Sequence, residues 1–287
     1  MKIKGVMLPI ITPFKNGEVD FDSYEKMINY YSETGITGLV PLGTTGESPT
    51  VSQVEYEKII EKTIEFNKKN LPIYVGFGGN DTISLTKRVK LLEKYNIQGI
   101  LSVSPYYNRP DQRGIYEHFK RLSESTCLDI ILYNIPYRTG RNIENDTIRR
   151  LSEFKNIVAL KDACGNFSQS SELLLDRPEN FSILTGEDVF YFNSLVMGGD
   201  GGILASAHLN TCDFIKVYNL VNHNKHKEAF DIFKTLAPTI PLLFEEPNPA
   251  PVKYCLEKLN LITSSEIRLP LLEITDNLKT KLDFILK

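Results

Sequence analysis

Short runs of apolar, often β-branched residues recur along the chain and alternate with amphipathic stretches. This alternation constrains the fold more than any other feature. Each run is nearly continuous in apolar residues, which is typical of strands buried on both faces of a parallel sheet. Successive runs end roughly 20 to 35 residues apart, the length of one βα unit. The eight runs cover residues 6–12, 38–42, 72–77, 99–104, 129–134, 156–161, 181–186 and 201–206.

Eight such units in 287 residues predict an α/β fold, a closed (β/α)8 TIM barrel. An open Rossmann sheet is disfavoured because the first βα turn, ITPFKNGEVD, lacks the G-x-G-x-x-G fingerprint. Ser52 and Glu55 have the spacing of a capping box and predict a helix start. The helices between the strands are predicted at 22–34, 53–68, 83–95, 113–126, 145–154, 168–176 and 188–197.

From about residue 212 the pattern is helical only, with predicted helices at 212–223, 226–243, 249–259 and 275–286. We therefore expect residues 1–223 to form the catalytic barrel and residues 224–287 to form a C-terminal helical extension. The polar run NHNKHKE, at 222–228, marks the predicted boundary.

Composition excludes several classes of partner. Lys and Arg number 33 against 36 Asp and Glu, a net charge of −3 without the basic patch that nucleic-acid binding requires. The apolar stretch at the N-terminus ends at Pro13, and no stretch approaches the ~18 apolar residues of a membrane span. We expect a cytoplasmic protein. The cysteines share no C-x-x-C spacing and the strand ends carry no histidine, so we expect no metal.

Active sites of (β/α)8 barrels lie at the carboxyl ends of the strands, and Lys161 occupies such an end. Burial there favours the neutral, nucleophilic amine. From an ordinary pKa, about 4–5 kcal/mol separates the amine from the ammonium at pH 7. The alternative is a structural lysine paired with a neighbouring carboxylate, Asp162 or Glu187. The pattern alone does not decide between them.

Other strand-end residues have similar alternatives. The turn GTTGE, at 43–47, carries Thr44 and Thr45 between glycines and could bind an anion with its N–H groups, or be an ordinary loop. Tyr107 and Tyr133 are phenols that could relay protons, or packed aromatics. Arg138 presents a planar fork suited to a carboxylate, or forms a surface ion pair.

Taken together, these residues resemble the dihydrodipicolinate synthase / N-acetylneuraminate lyase family. Six ordered blocks, spread over almost the whole chain, carry the resemblance. They are TPF (12–14), GTTGES (43–48), SPYYNRP (104–110), YNIPYRTGR (133–141), LKDACGN (160–166) and EPNPAPVK (246–253).

The resemblance implies the catalytic roles. Lys161 matches the lysine that forms an imine with pyruvate, and Tyr133 matches the tyrosine that moves protons during imine formation and cyclisation. Thr44 would link Tyr133 to Tyr107, which in the family comes from the neighbouring subunit. The resemblance therefore also implies a homodimer or a homotetramer built as a dimer of dimers.

The resemblance implies a substrate-binding set as well. Thr45, with Thr44, matches the threonines that hold the pyruvate carboxylate. Arg138 matches the arginine that receives the carboxylate of aspartate semialdehyde. Gly186 and the carbonyl of Ile203 match positions that line the site.

The implied activity is condensation of pyruvate with L-aspartate 4-semialdehyde in diaminopimelate and lysine biosynthesis. It needs no cofactor beyond the covalent imine. The alternative is a class I aldolase acting on a 2-keto-3-deoxy sugar acid or N-acetylneuraminate. Arg138 and the paired threonines favour the synthase, because a guanidinium suits a small charged amino acid better than a polyol. A non-enzymatic barrel is disfavoured because Lys161, Tyr133 and Thr44 are all present.

Two departures from the family pattern stand out. Gln53, Tyr56 and Ser84 replace the two histidines and the glutamate of the lysine-sensitive synthases. We expect weak or absent inhibition by lysine, because less negative charge remains to hold its ammonium group. Asp162 replaces the more usual glutamate, which changes reach but not charge.

Overall fold

The computed structural model describes residues 2–286 and contains eight parallel strands. Each is short and buried, as the continuous apolar runs predict. The strands are β1 (Gly5–Leu8), β2 (Gly38–Leu39), β3 (Tyr74–Gly76), β4 (Gly99–Val103), β5 (Asp129–Asn134), β6 (Ile157–Asp162), β7 (Ser182–Thr185) and β8 (Gly201–Ile203). A small antiparallel hairpin pairs Phe14–Lys15 with Glu18–Val19.

The strands alternate with α-helices, and further helices follow the last strand. The helices are α1 (Phe21–Ser32), α2 (Gln53–Phe66), α3 (Thr82–Val89), α4 (Gln112–Ser123), α5 (Pro136–Thr139), α6 (Asn145–Leu151), α7 (Phe167–Leu175), α8 (Tyr191–Val196), α9 (Thr211–Asn222), α10 (His226–Leu236), α11 (Thr239–Leu242), α12 (Ala250–Lys258) and α13 (Asp276–Ile285). Short 3-10 helices span Ser48–Thr50, Lys90–Leu92, Asp188–Phe190 and Ala205–His208.

The predicted fold class, a (β/α)8 barrel with C-terminal helices, is confirmed. The predicted capping box is present, because the Ser52 hydroxyl accepts from the Glu55 amide and the Glu55 carboxylate accepts from the Ser52 amide. The helix predicted at 226–243 is instead divided into α10 and α11. Pro238 stands in the break, where it has no N–H to continue the helix.

The described chain divides into two compact units. The predicted division at residue 223, between a catalytic barrel and a helical extension, stays a prediction. The first comprises Ile73–Ile203 with the N-terminal residues as far as Gly5. Its strands β3 to β8 pair with their sequence neighbours, all parallel. In this register Lys161 lies between Tyr133 of β5 and Leu184 of β7. Lys161 therefore lies near the end of its own strand and has a paired strand on each side.

The second unit comprises Val6–Pro72 and the chain from Leu204 onward. Strands β1 and β2 pair in parallel, with Met7 opposite Gly38. A Cβ on Gly38 would come within 2.6 Å of the Met7 methyl and 3.1 Å of the Pro72 carbonyl oxygen, so the chain packs closely around this glycine. The same unit contains α1, α2 and α9 to α13, together with the GTTGE turn.

Candidate active site

Lys161 is the fifth residue of β6 and is only 7% exposed. Its ammonium nitrogen lies 4.4 Å from the ring centroid of Tyr133, the residue paired with it on β5. Tyr133 is 6% exposed. The structure thus brings together two of the predicted catalytic residues, and it does so through strand register alone.

Burial lowers the pKa of Lys161 to about 8, because the charged form is poorly solvated. The negative charges of Asp188 and Glu187 oppose this shift, and the positive charge of Arg138 adds to it. Among the described residues, no carboxylate lies within ion-pair distance of Lys161. The structural alternative, a lysine held in an ion pair with Asp162 or Glu187, is therefore not what the structure contains.

Asp162, one of the two neighbouring carboxylates, is hydrogen-bonded to other residues. Asp162 accepts a 2.5 Å hydrogen bond from the Ser170 hydroxyl and a 3.1 Å bond from the Cys164 amide. Burial raises the pKa of Glu187, and the negative charges of Asp188 and Asp162 raise it further. Asp162 thus ties the end of β6 to α7 rather than neutralising the lysine.

Gly186 follows β7 and lies against the lysine side chain. A Cβ at this position would come within 2.7 Å of Lys161 Cε and 3.1 Å of the Ala163 methyl. The absence of a side chain therefore leaves room for Lys161 beside the strand end. Ile203, the last residue of β8, is 1% exposed.

Arg138 is exposed on the short helix α5, which the apolar pattern did not predict. Its Nε donates to the Tyr137 hydroxyl at 3.2 Å, and its guanidinium carbon lies 5.2 Å from the Tyr137 ring. The loop carrying it is closed by Asn134, whose amide oxygen accepts from the Ile143 N–H and whose amide nitrogen donates to Asn142. Asn134 directly follows Tyr133, so one strand end positions both residues.

Tyr107 is placed differently. It is 90% exposed, and its φ of +71° is in the left-handed region that side chains disfavour. Its side chain is therefore in solvent within this single chain. The predicted role of Tyr107 across a subunit interface stays a prediction.

The GTTGE turn lies in the second unit and is held by its own backbone. Gly46 N–H donates to the Gly43 carbonyl, and Glu47 N–H donates to the Thr44 carbonyl. The Thr12 hydroxyl donates to the Gly46 carbonyl at 2.8 Å. Thr45 is 4% exposed, whereas Thr44 is half-buried.

A buried ion pair anchors the end of this turn. Glu47 has a left-handed φ of +53° and pairs with Lys253 of α12, and both side chains are almost fully buried. Lys253 Nζ also donates to the Glu266 carbonyl and lies 4.2 Å from the Phe14 ring centroid. The Arg268 guanidinium carbon lies 4.0 Å from the same ring. Burial lowers the pKa of Lys253 to about 8, and Glu47 opposes that shift.

The block EPNPAPVK, at 246–253, carries the resemblance but had no predicted role in the site. Two of its residues contact the turn: Lys253 at Glu47, and Asn248 at Thr45, where the Asn248 amide donates to the Thr45 hydroxyl oxygen at 3.0 Å. Asn248 is 7% exposed. The sequence signal that could have indicated this role is the pair of prolines on either side of Asn248, because prolines restrict the backbone and so fix the position of the polar residue between them.

Among the described residues, no helix is long and apolar enough to cross a membrane. Within the same residues, no group of three or more His, Cys, Asp and Glu side chains is arranged to hold a metal ion.

The first unit therefore presents a buried amine of lowered pKa at a strand end, beside a phenol. Chemically, such an amine can add to a carbonyl and form an imine. The class of protein is a (β/α)8 barrel built for chemistry at the carboxyl ends of its strands.

The family is shown by comparison with known proteins. The sequence model of the dihydrodipicolinate synthetase family matches residues 2–287, and the chain belongs to this family. The chain is 66% identical over 283 residues to 4-hydroxy-tetrahydrodipicolinate synthase 2 of Clostridium acetobutylicum, covering 99% of each protein.

Solved structures agree with the sequence comparison. The dihydrodipicolinate synthase of Thermotoga maritima is 36% identical with a TM-score of 0.96, covering all of this chain and 98% of that one. The 4-hydroxy-tetrahydrodipicolinate synthase of Methylacidiphilum fumariolicum SolV is 39% identical with a TM-score of 0.96, covering 99% and 95%. The relatives favour the predicted synthase over the sugar-acid aldolase.

Proposed function

We propose that this chain is a lyase that condenses pyruvate, held as an imine on Lys161, with L-aspartate 4-semialdehyde to form 4-hydroxy-tetrahydrodipicolinate. The structural observation that supports this most directly is the buried Lys161 amine, 4.4 Å from the Tyr133 ring. The full-length identity of 66% to a relative of that name supports the choice of substrates.

The first step is nucleophilic addition. With a pKa of about 8, roughly a tenth of Lys161 is neutral at pH 7, against well under a thousandth for an ordinary lysine. The neutral nitrogen attacks the ketone carbon of pyruvate, and the resulting carbinolamine loses water to give the imine. Tyr133 supplies and removes the protons of these steps.

Carbon–carbon bond formation follows. Loss of a methyl proton converts the imine to an enamine, which attacks the aldehyde carbon of aspartate semialdehyde. The substrate's own amino group then attacks the imine carbon, closes the ring and releases the Lys161 amine. The reaction needs no cofactor, because the lysine imine serves as the electron sink.

Recognition of the two carboxylates falls to different residues. Thr44 and Thr45 hold the carboxylate of pyruvate, and Arg138 binds that of aspartate semialdehyde as a bidentate fork. Gly186 leaves room for the lysine, and the Ile203 carbonyl lines the site. Tyr107 completes the proton relay from the neighbouring subunit of a homodimer or a tetramer of two dimers. The enzyme acts in the cytoplasm, in lysine biosynthesis through diaminopimelate.

A coupled assay tests this proposal. Pyruvate, aspartate semialdehyde and a downstream reductase are supplied, and loss of reduced nicotinamide cofactor is followed. We expect turnover with the natural chain and none with Lys161→Ala. Borohydride reduction with pyruvate alone should leave a pyruvyl adduct on Lys161. Absence of both turnover and adduct would refute the imine mechanism.

A further inference from the structure

Asn248 approaches the GTTGE turn in the second unit. Its amide nitrogen donates to the Thr45 hydroxyl oxygen at 3.0 Å, and both residues are more than nine-tenths buried. The Asn248 amide oxygen has no hydrogen-bond partner among the described residues. Asn248 therefore meets the turn through one hydrogen bond, and the direction of that bond determines what the Thr45 hydroxyl can do.

The orientation of the amide follows from what each end would leave unpaired. In the observed orientation the buried atom without a partner is a carbonyl-type oxygen. In the flipped orientation it would be an NH2 group, and buried N–H groups without partners are rarer than under-satisfied oxygens. The Thr45 hydroxyl thus accepts from Asn248, and its own proton remains available to a second group.

Other contacts hold the rest of the turn in place, so the Thr45 hydroxyl has a fixed position relative to Asn248. Lys253 binds Glu47 at the end of the turn, and Thr12 binds the Gly46 carbonyl. A Cβ on Gly46 would come within 2.9 Å of the Leu42 nitrogen, so the turn closes tightly on its own start. Thr45 is consequently held in place by contacts on both sides.

We propose that Asn248 is a positioning residue that keeps the Thr45 hydroxyl a hydrogen-bond donor toward the carboxylate of pyruvate. This inference rests on the proposed function, in which Thr45 binds that carboxylate. A hydroxyl that accepts a hydrogen bond from an amide keeps its own proton, and that proton can be donated to a carboxylate. Asn248 acts through Thr45.

Asn248→Asp reverses the direction of the hydrogen bond with little change in shape. The new carboxylate accepts the Thr45 proton and withdraws it from pyruvate. We expect the KM for pyruvate to rise at least tenfold, the effect of losing one hydrogen bond to a charged group, with kcat within about threefold. Asn248→Ala leaves the Thr45 proton free but undirected, and we expect a smaller rise, about threefold to fivefold.

The pH profile separates positioning from mere structural damage. Below the pKa of the introduced carboxyl group, protonation restores an O–H donor toward Thr45. The ratio of the KM of Asn248→Asp to that of the natural chain should therefore fall as the pH is lowered from 8 toward about 5.5, since burial raises a carboxyl pKa. For Asn248→Ala the ratio should stay constant.

Asn67→Asp is the matched control. Asn67 is 8% exposed in the same unit, and within the part of the chain that the structure describes its side chain bonds only the backbone of Leu71. This variant should leave the KM for pyruvate unchanged at every pH. A pH-independent ratio for Asn248→Asp would overturn the proposal. If Asn248→Asp does not fold, an unchanged KM in Asn248→Ala would overturn it equally.

Pyruvate half-saturation is measured twice, by turnover and by borohydride trapping without the second substrate. If the natural chain gives neither turnover nor adduct, the proposed function has failed and this inference fails with it. If the natural chain is active and the Asn248 variants bind pyruvate as it does, the inference alone has failed.

Discussion

Replacing Lys253 with methionine removes the cation from an ion pair that is shielded from water. The side chains of Lys253 and Glu47 are 0% and 1% exposed, so solvent does not screen the loss. Removing one partner of a buried pair costs about 3–5 kcal/mol, because the remaining charge stays buried. Since the Arg268 amide still donates to Glu47 at 3.3 Å, we expect the lower end, about 3 kcal/mol.

The assay is urea unfolding at pH 7, with the midpoint and slope measured for each variant. Lys258→Met is the control, because Lys258 lies on the same helix and its side chain is 50% exposed against Asp283. A surface pair of this kind should change stability by less than about 1 kcal/mol. The double variant Glu47→Gln with Lys253→Met should recover at least half of the loss, because no unpaired charge remains. A loss below about 1 kcal/mol for Lys253→Met would refute the reasoning.

Three further predictions concern the pKa of Lys161, the space beside it at Gly186, and inhibition by free lysine. In borohydride trapping, the rate of pyruvate adduct formation should rise about tenfold per pH unit below the Lys161 pKa of about 8 and level off above it. A rate that continues to rise up to pH 10 would contradict that pKa. Gly186→Ala should slow trapping about 100-fold by displacing Lys161, while Gly79→Ala, whose Cβ would first meet Leu85 at an ordinary contact distance of 3.4 Å, should not. Lysine added to the coupled assay should inhibit weakly or not at all, and strong inhibition would show that Gln53, Tyr56 and Ser84 still form an effector site.

Apolar patterning was sufficient to predict the strands. The run at 129–134 coincides with β5, and each of the other runs overlaps its strand, because a strand buried on both faces must be continuously apolar. The elements that were missed are too short to show a period. Helix α5 has four residues, and the hairpin at Phe14–Lys15 has two residues in each strand.

The site was predictable in part. A lysine ending an apolar strand indicated a buried amine, and the structure confirms its burial and its position beside Tyr133. The sequence could not decide whether Asp162 neutralises it, since that depends on Ser170, eight residues away on another element. Lys253 was missed for a similar reason. A lysine in a helix is ordinarily solvated, and only tertiary packing shows that this one is buried against Glu47.

The position of Lys161 over the Tyr133 ring has an optical consequence. The chain contains 14 tyrosines and no tryptophan, so its near-ultraviolet absorption comes from phenols without an overlapping indole band. A cation 4.4 Å from one ring perturbs the transition of that phenol, and conversion of the amine to an imine changes that perturbation. A difference spectrum between the free and pyruvate-bound chain should therefore contain a contribution from Tyr133.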